Sequence, residues 1–145
     1  MNIGPDFREE HTLRDGTRVV LRLIQPQDRE ELARGIRSMS AESRYRRFFA
    51  AGVEPTEEQL RYLCEVDGHD HFAVVAVTES LDMKDERGVG VARFVRIKGE
   101  PEAAEAAVTV IDDMQGRGLG TLMLAVLATA AWERGIRRFR GEILA

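Results

Sequence analysis

Short apolar runs with strong β propensity mark much of this chain. Residues Thr17 to Ile24 are rich in Val and Leu and predict a strand, and Asp15-Gly16 before it predicts a hairpin turn from His11-Thr12-Leu13. Phe72 to Thr78 is almost continuously apolar, which is typical of a buried strand. Further strands are predicted at Val89 to Ile97, at Glu105 to Ile111 and from Arg138 to Ala145.

Helical patterns fill the interval between the first strand region and Phe72. A helix is predicted from Pro26 to about Met39, and either Pro26 or Asp28 can start it. A second short helix is predicted from Ala41 to Phe49. A capping box at Thr56 to Gln59 precedes a third helix, in which Leu60 and Leu63 face inward.

A longer helix is predicted from Leu119 to Arg134 and ended by Gly135. The loops before it are predicted at Ser80 to Arg87 and Gly99 to Ala103. The order of elements favours the α/β class in the broad sense, and within it an α+β fold in which helices cover a mixed sheet. Because no repeat or linker interrupts this order, we expect one domain over residues 1–145. The apolar face of the long helix contains Leu119, Leu122, Met123, Val126, Leu127 and Ala130.

Composition narrows the classes of partner. The net charge of −4 makes nucleic acid a poor first guess, because its binding requires clustered positive charge. The N-terminus lacks the basic and apolar regions of a secretory signal, and the longest uncharged stretch, Gly118 to Trp132, has the length of a buried helix rather than a membrane span. The single cysteine, Cys64, fits a reducing compartment. We therefore expect a cytoplasmic protein without membrane or nucleic-acid partners.

The segment with the clearest chemistry is the glycine-rich loop that joins the strand ending at Ile111 to the long helix. Glycines at 116, 118 and 120 leave the backbone N–H groups of Gln115 to Thr121 unshielded, and the helix N-terminus adds partial positive charge. Such a loop can hold a pyrophosphate, to which Arg117 and Thr121 can add hydrogen bonds. A plain tight turn is the competing interpretation. The loop lacks the Gly-Lys-Ser/Thr of a P-loop and the context of a dinucleotide-binding fingerprint.

The sequence Gln-Gly-Arg-Gly-Leu-Gly-Thr closely resembles the acetyl-CoA pyrophosphate loop of the GNAT superfamily of N-acyltransferases. The order of elements also resembles that of GNAT domains, which have a mixed, mostly antiparallel sheet flanked by helices. More narrowly, Leu13 to Gly16, Ser43 to Phe49 and Ala104-Glu105 resemble the GNAT domain of bacterial protein-lysine acetyltransferases. The resemblance implies transfer of an acetyl group from acetyl-CoA to a primary amine, such as a protein lysine, by direct attack in a ternary complex.

The resemblance also implies a set of donor-binding residues. The strand edge at Val108, Val110 and Ile111 would pair with the pantetheine arm as if the arm were another strand, in a gap left by the next strand. The backbone N–H near Val110 would stabilise the thioester oxyanion. The backbone amides of the loop would hold the pyrophosphate, and they belong to Gln115, Gly116, Arg117, Gly118, Leu119, Gly120 and Thr121.

Glu105 is the candidate general base. It is a charged residue in the otherwise apolar run Ala103 to Val108, where it shares a face with Ala107 and Thr109. Burial among alanines would raise its pKa towards a useful range, and it matches a glutamate thought to be the base in the resembled lysine acetyltransferases. A solvent-facing residue at a strand start is the competing interpretation. No metal is expected, because His11 is the only histidine besides His69 and His71, and no third and fourth ligand stand out.

GNAT domains normally continue past the strand that begins at Arg138 with one more helix and two more strands, and this chain ends at Ala145. We therefore expect a C-terminally short domain that lacks those elements and their tyrosine general acid. The last strand would have an exposed edge, which a second copy could cover in a homodimer. A non-catalytic acyl-CoA-binding sensor and a CoA-independent structural domain are the alternatives to an enzyme.

Overall fold

The computed structural model describes residues 3–38, 55–79, 86–141 and 143–144. The helix predicted from Ala41 to Phe49, the Ser43 to Phe49 part of the family resemblance and most of the predicted loop from Ser80 to Arg87 lie outside these residues. Within the described part, seven strands form one sheet in the order β1-β2-β3-β4-β5-β6, and β7 also pairs with β5. The strands are β1 (Arg8–Thr12), β2 (Arg18–Leu23), β3 (His71–Glu79), β4 (Glu86–Ile97), β5 (Glu100–Val110), β6 (Arg138–Arg140) and β7 (Ile143–Leu144).

The sheet is antiparallel from β1 to β5 and parallel where β6 and β7 join β5. This arrangement confirms the predicted mixed, mostly antiparallel sheet. The hairpin between β1 and β2 turns at Asp15-Gly16 as predicted, with the Leu13 N–H donating to the Thr17 carbonyl at 2.8 Å and Gly16 at a φ of 90°.

Three helices surround the sheet in the described part of the chain. They are α1 (Arg29–Ser38), which follows a 3-10 turn at Pro26–Asp28, α2 (Glu57–Cys64) and α3 (Leu119–Glu133). The capping box predicted for α2 is present, since the Gln59 N–H donates to Thr56 Oγ1 at 3.1 Å and the Thr56 N–H to Gln59 Oε1 at 2.8 Å. Beyond the C-terminal end of α3, Gly135 has a φ of 85°, and it ends the helix as predicted.

The two faces of the sheet pack against different helices. On one face, α3 contributes Leu119, Met123 and Leu127 to the main core, with Phe72 and Phe94 from the strands. On the opposite face, Cys64 of α2 and Leu32 of α1 pack with apolar residues of β2, β3 and β4. The alternation of side chains along β5 therefore directs one set of its residues to the α3 core and the other to the α1–α2 face. The α1–α2 face receives Glu105, Ala107 and Thr109.

The predicted turn from Gly99 to Ala103 is wrong after its first residue. The chain turns at Lys98-Gly99, and β5 already starts at Glu100, opposite Ile97. Residues 101–103 have no partner on β4, because the next pair in the register is Arg96 with Ala104. Pro101 lies in this bulge, where its missing N–H breaks no ladder hydrogen bond. Glu105 consequently lies within a long strand and not at its start.

The strand predicted from Arg138 to Ala145 is interrupted after Arg140. Arg138 pairs with Ala103 and Ile143 with Val108, so that β6 and β7 keep the same register along β5. Gly141 has a φ of 136°, and a Cβ atom there would lie 2.1 Å from the Ala106 carbonyl oxygen. A residue with a side chain could not approach β5 this closely, so Gly141 is required by the local geometry.

Candidate active site

The glycine-rich loop brings an uncapped helix N-terminus to the surface at the end of β5. After β5, a 3-10 turn at Asp112–Met114 leads into Gly116 and Gly118, whose φ angles of 78° and 87° are left-handed. Gly118 is the N-cap residue of α3, and no side chain caps the helix there. The first helical bond, from the Leu122 N–H to the Gly118 carbonyl, is 3.1 Å long. The preceding amides therefore point past the helix end, which is the arrangement that binds anions.

The loop residues differ in whether their amide groups already have hydrogen-bond partners. The Gln115 N–H already donates to the Asp112 carbonyl at 3.3 Å, and its side-chain amide donates to the Val110 carbonyl at 3.0 Å. Both the backbone and the side-chain amide of Gln115 thus have partners within the turn, and the expected contact of its backbone amide with a phosphate stays a prediction. The amides left to face an anion belong to the segment from Gly116 to Thr121, in which Leu119 and Gly120 are buried and the other residues are exposed.

The Arg117 guanidinium points to the β1–β2 hairpin. Its Nη1 donates to Asp15 Oδ2 at 2.7 Å and lies 3.4 Å from Thr17 Oγ1. Asp15 is held in turn by the Thr17 N–H, which donates to Asp15 Oδ1 at 3.0 Å. The guanidinium thus forms an ion pair with the hairpin, and its expected contact with a phosphate stays a prediction.

The edge of β5 that was expected to receive a pantetheine arm is partly occupied. Val108 and Thr109 pair with Ile143 and Leu144 of β7, so the expected gap between β5 and the next strand is absent at these positions. The Ile111 N–H donates to the Val89 carbonyl at 3.0 Å, on the β4 side of the strand. This bond fixes the alternation, and the N–H and C=O of Val110 face the opposite edge, towards β6 and β7.

Glu105 is exposed, so the expectation that alanines bury it is wrong. Its neighbours Ala104 and Ala106 face the α3 core, whereas Glu105 lies on the other face, opposite Val95 on β4 and Arg140 on β6. Ala107 and Thr109, which are half-buried, lie on the same face as Glu105, as predicted from the alternation. Among the described residues, no side chain forms an ion pair or hydrogen bond with the Glu105 carboxylate. The Glu105 carboxylate therefore lies in mid-strand, open to solvent.

A buried polar pair lies on the same face, and the sequence reasoning missed it. His71 and Arg93 are only 9% and 5% exposed, and Arg93 Nη1 donates to His71 Nε2 at 2.9 Å and to the Leu63 carbonyl at 3.0 Å. Burial and the adjacent guanidinium lower the pKa of His71 to about 4, so the imidazole is neutral at physiological pH. The pair ties the end of α2 to the sheet. The sequence signal was Arg93 itself, a charge within an apolar strand.

Other candidate chemistry is not supported by the described residues. No group of three His, Cys, Asp or Glu side chains is placed to hold a metal ion within the described ranges. His69 pairs with Asp70 at 2.9 Å, away from the buried His71. Burial raises the pKa of the Cys64 thiol to about 11, so it is protonated and packs in the core. Within the same ranges, no helix is both long and apolar enough to cross a membrane.

Comparisons with known proteins agree with the fold. Residues 18–145 match the family model of the acetyltransferase (GNAT) domain. The chain is 38% identical over 132 residues to the acetyltransferase Pat of Mycolicibacterium smegmatis, covering 91% of this chain and 38% of Pat. It is 31% identical over 127 residues to the acetyltransferase PA5475 of Pseudomonas aeruginosa, covering 88% of this chain and 67% of that protein.

A solved structure shows the same arrangement of elements. The GNAT domain of S. lividans PAT superposes with a TM-score of 0.80 at 32% sequence identity, covering 94% of this chain and 78% of that domain. The family match extends over most of the chain and includes the glycine-rich loop, whereas only about two fifths of the length of Pat is represented here. The chain belongs to the GNAT acetyltransferase domain family.

Proposed function

We propose that this chain transfers the acetyl group of acetyl-CoA to a primary amine, and that a protein lysine is the acceptor. The observation that carries the proposal is the uncapped N-terminus of α3 behind two left-handed glycines, in a chain of the GNAT family. The amides of Gly116 to Thr121 would bind the pyrophosphate. A protein lysine is proposed because Leu13 to Gly16 and Ala104-Glu105 resemble the protein-lysine acetyltransferases.

The residues suggest a division of tasks in this reaction. Glu105 would accept a proton from the substrate ammonium, so that the neutral amine can attack the thioester carbon. A bond forms between nitrogen and the acetyl carbon and the carbon–sulfur bond breaks. The thiolate takes up one proton, and the new amide nitrogen loses its second proton to solvent. The N–H of Val110 is the proposed donor to the oxyanion, because it lies on the β5 edge just beyond the last residue paired with β7, Thr109.

Isothermal titration with acetyl-CoA, followed by a thiol-release assay with lysine-containing peptides, tests the proposal. We expect saturable binding and release of thiol that depends on the amine. Failure to bind acetyl-CoA would refute the proposed function. Binding without amine-dependent release would instead support the non-catalytic sensor.

The proposed base is tested by Glu105→Gln, with Glu102→Gln as a matched control on the same strand. Both residues are exposed carboxylates, but Glu102 lies 4.0 Å from an Arg138 nitrogen in the bulged part of β5. Since a general base contributes about a hundredfold or more, kcat should fall by about that factor in Glu105→Gln. Acetyl-CoA affinity should be nearly unchanged, and the control should retain wild-type turnover. Wild-type turnover in Glu105→Gln would remove Glu105 from the mechanism.

A further inference from the structure

One ion pair connects the glycine-rich loop to the β1–β2 turn, which lies near the other end of the sequence. Arg117 and Asp15 are 102 residues apart, and their side chains meet at 2.7 Å with both about two fifths exposed. Arg117 is the only residue with a side chain between Gly116 and Gly118. Between these two glycines, the guanidinium is therefore the side-chain group that can bind to another element of the fold.

The Asp15 carboxylate is oriented by hydrogen bonds within its own turn, independently of Arg117. The carboxylate accepts the Thr17 N–H through Oδ1, which leaves Oδ2 for the guanidinium. The turn itself is closed by the Leu13 N–H to the Thr17 carbonyl and by the Gly16 N–H to the Leu13 carbonyl. The hydrogen bonds from Thr17, and beyond them the guanidinium, hold the pKa of Asp15 below its ordinary value. A charged, oriented acceptor is thus built into the hairpin.

The glycines beside Arg117 would leave its side of the contact with considerable conformational freedom if the guanidinium had no partner. Glycine loses more conformational freedom on ordering than any other residue, and this loop has glycines on both sides of Arg117. For the loop amides to bind one anion together, their directions must be fixed before binding or at its expense. An anchor on the central side chain reduces that entropic cost.

We propose that Asp15 is a positioning residue for the acyl donor, which acts by holding Arg117 so that the loop amides are preorganised for the pyrophosphate. This inference rests on the proposed function, because it assumes that acetyl-CoA binds at this loop. In the opposite arrangement the guanidinium would itself bind a phosphate, and Asp15 would compete with the donor for it. The two arrangements predict opposite effects of removing the Asp15 charge.

The test compares Asp15→Asn, Arg117→Gln and the double variant by isothermal titration with acetyl-CoA. Asn keeps the turn, since its side-chain oxygen can accept the Thr17 N–H. We expect each single variant to raise the donor Kd about two- to fivefold, as for the loss of an exposed ion pair. The double variant should be no weaker than either single one, because both break the same contact. The KM for the donor should rise in parallel, with kcat and the acceptor KM unchanged.

Asp6→Asn is the matched control, because it removes an exposed carboxylate near the opposite end of β1 from the hairpin turn. It should leave the donor Kd unchanged. The effect of Asp15→Asn should shrink at high salt, which screens exposed pairs. Thermal unfolding of the ligand-free variants reports whether the fold itself is altered.

Two results would overturn the inference while leaving the proposed function standing. Asp15→Asn could bind acetyl-CoA as well as the wild type or more tightly while Arg117→Gln binds it more weakly, which would assign the phosphate contact to the guanidinium. The two single effects could instead add in the double variant, so that Asp15 and Arg117 act independently. Absence of acetyl-CoA binding by the wild-type chain would refute the proposed function, and this inference with it.

Discussion

The buried His71–Arg93 pair makes the stability of this domain depend on pH between 5 and 7. In the folded protein the pKa of His71 is lowered to about 4 from the ordinary value of 6.5, first by burial and then by Arg93. Between these two values the unfolded chain binds a proton at His71 and the folded chain does not. The free energy of unfolding therefore rises with pH through this window, and it falls on acidification.

The size of the effect follows from the same two pKa values. Integrating the difference in proton binding from pH 7 to pH 5 gives a loss of about 2 kcal/mol in the free energy of unfolding. The carboxylates with lowered pKa values, such as Asp67 and Asp70, lose their contribution only as pH falls further, through their folded pKa values. The interval from pH 5 to pH 7 consequently isolates the histidine.

Urea unfolding of the wild type and of His71→Gln at several pH values in this interval is the measurement. At a slope of about 2 kcal/mol per molar urea, the wild-type midpoint should fall by about 1 M between pH 7 and pH 5. His71→Gln has no proton to bind, and its oxygen can still accept from Arg93, so its midpoint should be nearly flat. The exposed His69 provides the control His69→Gln, which should keep the wild-type slope. Equal slopes for wild type and His71→Gln would refute the reasoning.

Two further substitutions test the elements that frame the site. Thr56→Ala removes the cap that accepts the Gln59 N–H, so the free energy of unfolding should fall by about 1 kcal/mol in urea unfolding, whereas Thr56→Ser should not change it. An unchanged midpoint in Thr56→Ala would contradict the capping box. Gly141→Ala places a Cβ atom 2.1 Å from the Ala106 carbonyl oxygen and should speed hydrogen exchange along β6 and its partner edge of β5. Gly135→Ala, at a φ of 85° with open space around it, should cost about 1 to 2 kcal/mol from backbone strain alone and leave that exchange unchanged. Equal exchange in the two glycine variants would disprove the close approach.

The features that the sequence predicted well are those whose cause lies within a few residues. The hairpin at Asp15-Gly16, the capping box at Thr56 and the helix end at Gly135 each depend on local turn or cap geometry. The glycine-rich loop belongs to the same class, because positive φ angles at Gly116 and Gly118 and the following helix are enough to expose a row of amides.

The features that the sequence did not predict depend on strand partners. Glu100 and Pro101 have low β propensity, and they join β5 because Lys98-Gly99 closes a tight turn and the bulge accommodates the proline. The exposure of Glu105 follows from the side of the sheet that its register assigns to it. Flanking alanines do not report that assignment, because alternate residues of one strand face different environments.

The same reasoning explains why the loop's backbone geometry was easier to predict than its anchoring. Backbone donors are a property of the loop alone, but the direction of the Arg117 guanidinium depends on a hairpin turn 102 residues earlier. No local pattern links the two segments, and only the folded sheet, which places the β1–β2 turn beside the start of α3, brings Asp15 within 2.7 Å of Arg117. The ion pair with Asp15 is therefore the basis of the proposal that Arg117 anchors the loop, while its hydrogen bond to a phosphate stays a prediction from the sequence.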